Sequence, residues 1–478
     1  MSLHTCFRCL FVFLLLTSHL FPLSAQRPDG QHQPPKILAG LGEYQCFLLD
    51  EKRHALAVTA GYAYSGTGKR GNYGQAMPMD FDRELTFSAI CGGLHGGAAV
   101  DQTGHVWCWG DGSEGQIGDG NIYPINQWVF SPIRIDKDSS GSPFDHIATV
   151  TGYFSGNNAQ GFYAVKTDGS LWVWGKTTCG MRGDGTAGDT TTRPVPLALP
   201  GGRAVKQLVA GDVLIVLCTD GTVWTCGGNG NNQQNLGYLS SGDAWLSFHQ
   251  LALKDIDQVA GGLAFNYALK KNGTLYGWGY YGTYMGGAPT AGNTIGPGQH
   301  YVTPVVLTDI TSRLPLPITQ IVTNSVCTHA ILADGTLWGW GDNAMGTIGN
   351  GQELDYSKTA HPYAWDFRPG GLLQRYPVQI TDRHDFVAVF GSCIFTFYTY
   401  AETAEGALYS WGRNKGGVLG NGVLACAPDI ASLYPNSWDV PLATPIDPLA
   451  GGKPKLLTSP YCQLHPEGKF CEKCHDQQ

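Results

Sequence analysis

The chain has 478 residues, 42% of them hydrophobic and 11% aromatic, with only 14% charged and a formal net charge of −8. This composition excludes a disordered chain, and the 66 glycines are scattered rather than periodic, which excludes collagen. There is no run of lysines or arginines to meet a phosphate backbone, so nucleic acid is not an expected partner.

The start reads as a secretory signal over residues 1–25. Arg8 precedes the apolar run from Cys9 to Leu16, and Leu23-Ser24-Ala25 offers a small residue for cleavage before Gln26. The run is short for a membrane span and is broken by Thr17, Ser18 and His19; an uncleaved anchor is the alternative. No later segment has the length and apolar character of a span, so no stable membrane span is expected after cleavage. The expected location is extracellular or periplasmic. Cys6 and Cys9 lie inside the signal, so twelve of the 14 cysteines remain, an even number in an exported chain, and disulfides are expected with their pairing open. Residues 26–36 are polar and proline-rich and read as a linker.

From Ile37 onward one pattern recurs. Its centre is a hairpin ending in an aromatic strand: Gly104 to Gly110, Gly169 to Gly175, Gly221 to Gly227, Gly273 to Gly279, Gly335 to Gly341 and Gly406 to Gly412. Asp168, Asp220, Asn272 and Asp334 stand before the first glycine, and such pairs supply the positive φ angles of a tight turn. The two aromatic positions of each strand are two residues apart, so both rings leave one face. A glycine-rich loop follows, as in Gly115-Gln116-Ile117-Gly118-Asp119-Gly120, Gly346 to Gly351 and Gly417 to Gly422. Next comes a strand with proline near its start, such as Pro132 to Ile135 or Pro377 to Ile380, where a missing amide donor is tolerated. A further apolar strand, as in Val205 to Gly211, opens the next unit.

That makes four strands per unit, with the motif positions 109, 174, 226, 278, 340 and 411 lying 52 to 71 residues apart. A worn copy is visible from Ile37 to Val58, giving six clear units and one worn. The expected fold is all-β: a seven-bladed β-propeller of four-stranded blades over residues 37–458, followed by a cysteine-rich tail over 459–478. Blades bury their faces against each other, and ring closure removes the last open ones. Cys46 and Cys462 are one conceivable link between the ends of the ring. A monomer is expected.

The hairpin Asp334-Gly335-Thr336-Leu337-Trp338-Gly339-Trp340-Gly341 with its glycine loop to Gly351 and a Pro-Val strand resembles the regulator of chromosome condensation (RCC) repeat family. The resemblance implies a seven-bladed propeller. Its members include nuclear exchange factors for a small GTPase, ubiquitin-ligase-linked domains and secreted bacterial proteins such as a β-lactamase inhibitor. The signal, acidic balance, cysteines, long insertions and Cys226 in place of a motif Trp set this chain apart from the nuclear type and bring the secreted members closer by analogy.

Nine of the 13 tryptophans sit in the hairpin motif and read as core packing. The other four, Trp128, Trp245, Trp365 and Trp438, fall between a glycine loop and the strand that closes the unit, as does the cluster Tyr280, Tyr281 and Tyr284. Equivalent segments share one face of a propeller. Two readings stand: these rings grip a protein or glycan, or each pins its own loop. The glycine loops lack the Gly-Lys-Ser/Thr ending of a phosphate cradle and read as structural turns. Asp111, Ser113, Glu114 and Asp119 cluster in one loop without the spacing of a calcium loop. His95 and His329 stand near the family's recurrent His position and read as structural. In the tail, Cys471-Glu472-Lys473-Cys474-His475 fits covalent haem attachment, with a disulfide-stapled tail as the other reading. No catalytic constellation is evident. The leading expectation is a secreted binding scaffold with a protein partner; a haem-bearing redox protein or propeller enzyme and a glycan-binding propeller are the alternatives.

Overall fold

The computed structural model of the chain describes residues 35–42, 45–59, 65–69, 76–125, 127–155, 159–228, 233–239, 244–262, 265–279, 301–343, 345–352, 373–392, 396–414, 418–421, 423–426, 440–446 and 455–458. Seven four-stranded antiparallel sheets follow one another along the chain, spanning 38–78, 87–135, 147–197, 205–250, 256–306, 318–379 and 386–446. They are the blades of a β-propeller, here blades 1 to 7 in chain order. A short parallel pair, Val423–Cys426 with Lys455–Thr458, lies beside them.

The turn chemistry of the sequence appears in each hairpin. Asp168 Oδ1 accepts the N–H of Ser170 at 2.9 Å, and Gly169 takes a φ of +85°. Blade 1 makes the same turn without glycine: Arg53 stands at φ +67°, and its N–H donates to Asp50 O at 2.8 Å as that of Gly104 donates to Asp101 O. This is why the first repeat reads as worn. The hairpins also set the blade order. The first N–H of the next innermost strand donates to the hairpin carbonyl, from Phe87 to Arg53, Ile147 to Gly104, Val205 to Gly169, Ile256 to Gly221 and Phe386 to Gly335.

The second ring of each aromatic pair is the inter-blade core. Trp174 lies fully buried among Val106, Cys108, Ile117 and Ile135 of the preceding blade, and its Nε1–H donates to Gln116 O at 2.9 Å. Trp278 and Trp411 repeat the bond to Asn235 O and Thr347 O, each at 3.0 Å. The glycine loop is the seat of the neighbour's indole. A Cβ on Gly118 would stand 2.9 Å from the Trp174 ring, and one on Gly349 would stand 2.7 Å from that of Trp411. Where the motif Trp is replaced by Cys226, the space is filled by Tyr163, Met181 and Phe248.

Between blades 4 and 7 a second device joins the innermost strands. Gln207 exchanges two hydrogen bonds with the backbone of Val259, and Gln320 does the same with Val389. Gln258 donates to Thr319 O and accepts from Ile321 N–H. Each amide behaves as one more peptide unit inserted between two blades.

The ring closes between blades 7 and 1. Leu38, Phe47, Tyr398, Tyr400 and Leu419 share one buried cluster, and the Tyr398 hydroxyl donates to Gly42 O at 2.7 Å. Cys46 is a free thiol inside this cluster, and Cys462 lies outside the described residues, so among those described closure is non-covalent. Cys91, Cys108, Cys218, Cys226 and Cys327 are free as well. The expected disulfides therefore do not involve these six. Among the described residues no helix is long and apolar enough to cross a membrane.

Candidate binding face

In an up-and-down blade, the loop from the first to the second strand and the loop from the third to the fourth leave the same side of the disc. The tight hairpins and the blade-to-blade connections leave the other. The glycine loops, their insertions and the turn at Gly93–Gly96 thus form one loop face.

On blade 2 the two loops of this face are tied together. The Asp111 N–H donates to His95 O at 2.8 Å, and Gln45 of blade 1 donates through Nε2 to Gly93 O and Gly96 O, each at 2.9 Å. The acidic residues of the loop serve it locally. Asp111 Oδ1 accepts the Ser113 N–H at 2.9 Å, and Asp119 accepts from Asn121 and from the Tyr123 hydroxyl at 2.8 Å. Burial first, and then Asp119, push the Tyr123 hydroxyl up to about 12. Glu114 pairs with Lys176 of blade 3 at 3.0 Å. Among the described residues no three His, Cys, Asp or Glu side chains are placed to hold a metal ion.

Beyond these bonds the loop turns apolar residues to solvent. Ile122 is 60% exposed and Ile125 81%. Trp128 follows half-buried, at the entry to Val129–Ile135. The corresponding loop of blade 4 carries Leu239 at 82% exposure. Trp245, in the short 3-10 turn Ala244–Leu246 of that blade, is half-buried. Its ring lies against Gly180 of blade 3, where a Cβ would be 2.9 Å away, and its carbonyl accepts the Gly227 N–H at 2.8 Å. Tyr280, Tyr281, Tyr284, Trp365, Trp438 and the tail residues Cys471, Cys474 and His475 lie outside the described residues.

The two histidines are not equivalent. His329 sits within the second strand of blade 6, opposite Gly339, and is fully buried with Nε2 3.3 Å from Ile348 O. Burial pushes its imidazole down to about 4. The matching position of blade 2, opposite Cys108, is Ala98. His95 lies three residues earlier, in the turn, where burial lowers its pKa against the pull of Asp111. There it lines a small pocket between blades 2 and 3 with Leu94, Asp111, Gln116, Gln160 and Phe162.

No protein-family model matches the chain. It is 26% identical over 401 residues to the ultraviolet-B receptor UVR8 of Arabidopsis thaliana, covering 77% of this chain and 79% of the receptor. It is also 26% identical over 345 residues to the mitochondrial RCC1 domain-containing protein RUG3 of the same plant, covering 67% of this chain and 68% of that protein. Among solved structures, Prp20p of Saccharomyces cerevisiae matches with a TM-score of 0.61 and 19% identity over 86% of this chain and 88% of that one. The chain is similar to RCC-repeat proteins and has the fold of a seven-bladed propeller. Read as RCC repeats, its blades give an internal comparison at the loop position whose carbonyl receives an indole or a tyrosine hydroxyl. Gln116 holds it in blade 2, Met181 in blade 3, Asn235 in blade 4, Thr347 in blade 6 and Val418 in blade 7.

Proposed function

We propose that this protein is an exported scaffold that seats a protein partner on its loop face, across blades 2 to 4. The observation that carries the reading is the exposure of Ile122, Ile125 and Leu239. They are the most exposed large apolar residues described, and the others, such as Met77 and Val306, reach only 38% and 47%. Apolar side chains held out on the loops of one face gain about 1.5–3 kcal/mol each when a partner covers them. The yeast relative supports the same use of the fold, since its structure was described together with its binding to Gsp1p and histones. Export is supported by the signal-like segment ending at Ala25.

The test is affinity capture from native material, read by mass spectrometry, with the wild-type chain and with Ile122→Asp/Ile125→Asp/Leu239→Asp. The triple variant is expected to keep the circular dichroism spectrum and melting point of the parent and to lose the partner. Equal recovery of the same proteins by both chains defeats the reading. Sequencing the secreted chain, expected to begin at Gln26, tests export.

A further inference from the structure

Asn272-Gly273-Thr274, at the hairpin tip of blade 5, is the one Asn-X-Ser/Thr triplet in the 478 residues. Such a triplet on a surface turn of an exported chain is an acceptor for an Asn-linked sugar. The corresponding residues of blades 3, 4 and 6 are Asp168, Asp220 and Asp334, which have no amide to take one. In blades 4 and 6 the hydroxyl two residues on is also occupied. Asp220 Oδ1 accepts the N–H of Thr222 at 3.0 Å and its hydroxyl at 2.6 Å, and the hydroxyl oxygen accepts Trp224 Nε1–H at 3.1 Å. Thr336 is held in the same way by Asp334 and Trp338. Asn272 keeps the first of these bonds, its Oδ1 accepting Thr274 N–H at 3.1 Å, and Tyr276 stands where the other blades have the indole. Asn272 is exposed, and among the described residues nothing bonds its Nδ2 or the Thr274 hydroxyl.

The hairpin is also loosely tied to its surroundings. In blades 1 to 4 and 6 the hairpin carbonyl receives the first N–H of the next innermost strand; among the described residues Gly273 O receives none. A Cβ on Gly104, Gly221 or Gly335 would stand 3.2, 3.2 and 2.4 Å from the backbone leading into the next blade, whereas the nearest atom to one on Gly273 is Pro317 Cβ at 3.7 Å. There is room at this tip for a bulky, solvated group. We infer that Asn272 carries an Asn-linked oligosaccharide on the hairpin face, which leaves the loop face free for the partner. Transfer joins Asn272 Nδ2 to the anomeric carbon of the sugar. The bond from that carbon to the pyrophosphate of a lipid-linked oligosaccharide donor breaks, the lipid pyrophosphate leaves, and the amide gives up one proton to a base of the transferase. This rests on export, one part of the reading given above.

The test is digestion of the chain, purified from native material, with peptide-N-glycosidase in heavy-oxygen water, read by mass spectrometry. The expected peptide carries heavy-oxygen aspartate at position 272, and the whole chain loses the mass of one oligosaccharide. The heavy label separates this from spontaneous loss of ammonia at an Asn-Gly pair. In chains expressed by the same cells, Thr274→Ser should keep the sugar, while Thr274→Ala and Asn272→Asp should lose it. Asn272→Asp places at this turn the residue that blades 3, 4 and 6 carry, so it should still fold and be secreted. Unchanged Asn272, or aspartate without the heavy label, in a secreted chain that begins at Gln26 overturns the sugar site and leaves export standing. A chain that keeps residues 1–25 and stays in the cell defeats export and the sugar site together.

Discussion

Glu402, on the second strand of blade 7, accepts the backbone N–H of Ile37 at 3.2 Å across the seam where the last blade meets the first. Its other oxygen accepts the Lys36 N–H at 2.9 Å, and Arg53 holds the same segment through Pro35 O at 3.1 Å. Burial pushes the carboxyl up to about 7, against the pull of those two N–H groups, Lys36 and Arg53. The folded chain therefore binds this proton more tightly than the unfolded chain does. The contribution is full below the ordinary value of 4.5 and is lost as pH rises through about 7. Denaturant unfolding should show a loss on the order of 3 kcal/mol over that window from this group. Glu402→Gln should remove this contribution and leave the slope of whatever other buried group titrates in the window.

His329 acts in the opposite sense. It is fully buried, with Nε2 3.3 Å from both Ile348 O and Trp411 Nε1, and its folded pKa lies near 4 against 6.5 unfolded. Below 6.5 the unfolded chain takes the proton first, so stability present at neutral pH is lost as pH falls toward 4. The two groups oppose each other in the wild type between 4.5 and 6.5, and His95, whose pKa burial also lowers, adds to the sense of His329. The single variants should uncover opposite slopes there: stability rising with pH in Glu402→Gln and falling with pH in His329→Gln. Parallel slopes in the two variants would contradict this account. Asp101 and Asp334 do not interfere, since their pKa values lie below 3.8.

Much of this fold was legible because its signals are local and repeated. The Asp168-Gly169 and Asp334-Gly335 turns, the rings of Trp174 and Trp411 and the glycines beneath them all recur at fixed offsets. Blade 1 was harder, since Arg53 makes its turn and Ala55–Thr59 carries no Trp. Gln207, Gln258 and Gln320 left no trace, because a strand Gln reads as one polar residue and its role exists only against the next blade. His95 was misplaced beside His329 for a related reason: spacing in sequence does not count the turn that separates it from Ala98. At the binding face, ring type drew attention to Trp128 and Trp245. The most exposed apolar residues, Ile122, Ile125 and Leu239, are single residues in polar loops and carry no periodic signal.

Gly349→Ala should destabilise the fold strongly. Gly349 stands at φ +87°, and the added Cβ would meet the Trp411 ring at 2.7 Å. The left-handed backbone costs about 1–2 kcal/mol and the displaced indole about 1–3 kcal/mol more. Gly141→Ala is the control, at φ +85° with nothing within 4 Å of its Cβ, so only the backbone cost remains. Urea unfolding of the two variants measures the difference, and equal losses would mean that the glycine loop is not a seat for the indole.

Gln320→Met should loosen blade 6 from blade 7. The side chain is 2% exposed and exchanges two bonds of 3.0 Å with the N–H and carbonyl of Val389. Met keeps the volume but leaves both backbone groups unpaired, at about 1–3 kcal/mol each. Hydrogen exchange at the Val389 amide should accelerate accordingly. Retained protection of that amide in the variant would show that its bond to Gln320 carries little weight.

Cys226→Trp restores the aromatic residue that five other blades carry at this position, and it should nevertheless destabilise the protein. The fully buried Sγ lies close to Gly183, where a Cβ would be 2.9 Å away, and Tyr163, Met181 and Phe248 already fill the space of the missing ring. The Tyr163 hydroxyl is also bonded to Met181 O, which fixes the filler in place. Inserting an indole here overpacks a closed core, at about 1–3 kcal/mol or more. Pairing it with Met181→Ala should recover part of the loss, so the two substitutions should couple favourably in a double-mutant cycle. Additive losses would mean that Met181 does not occupy the indole's place and that blade 4 tolerates Cys226 for another reason.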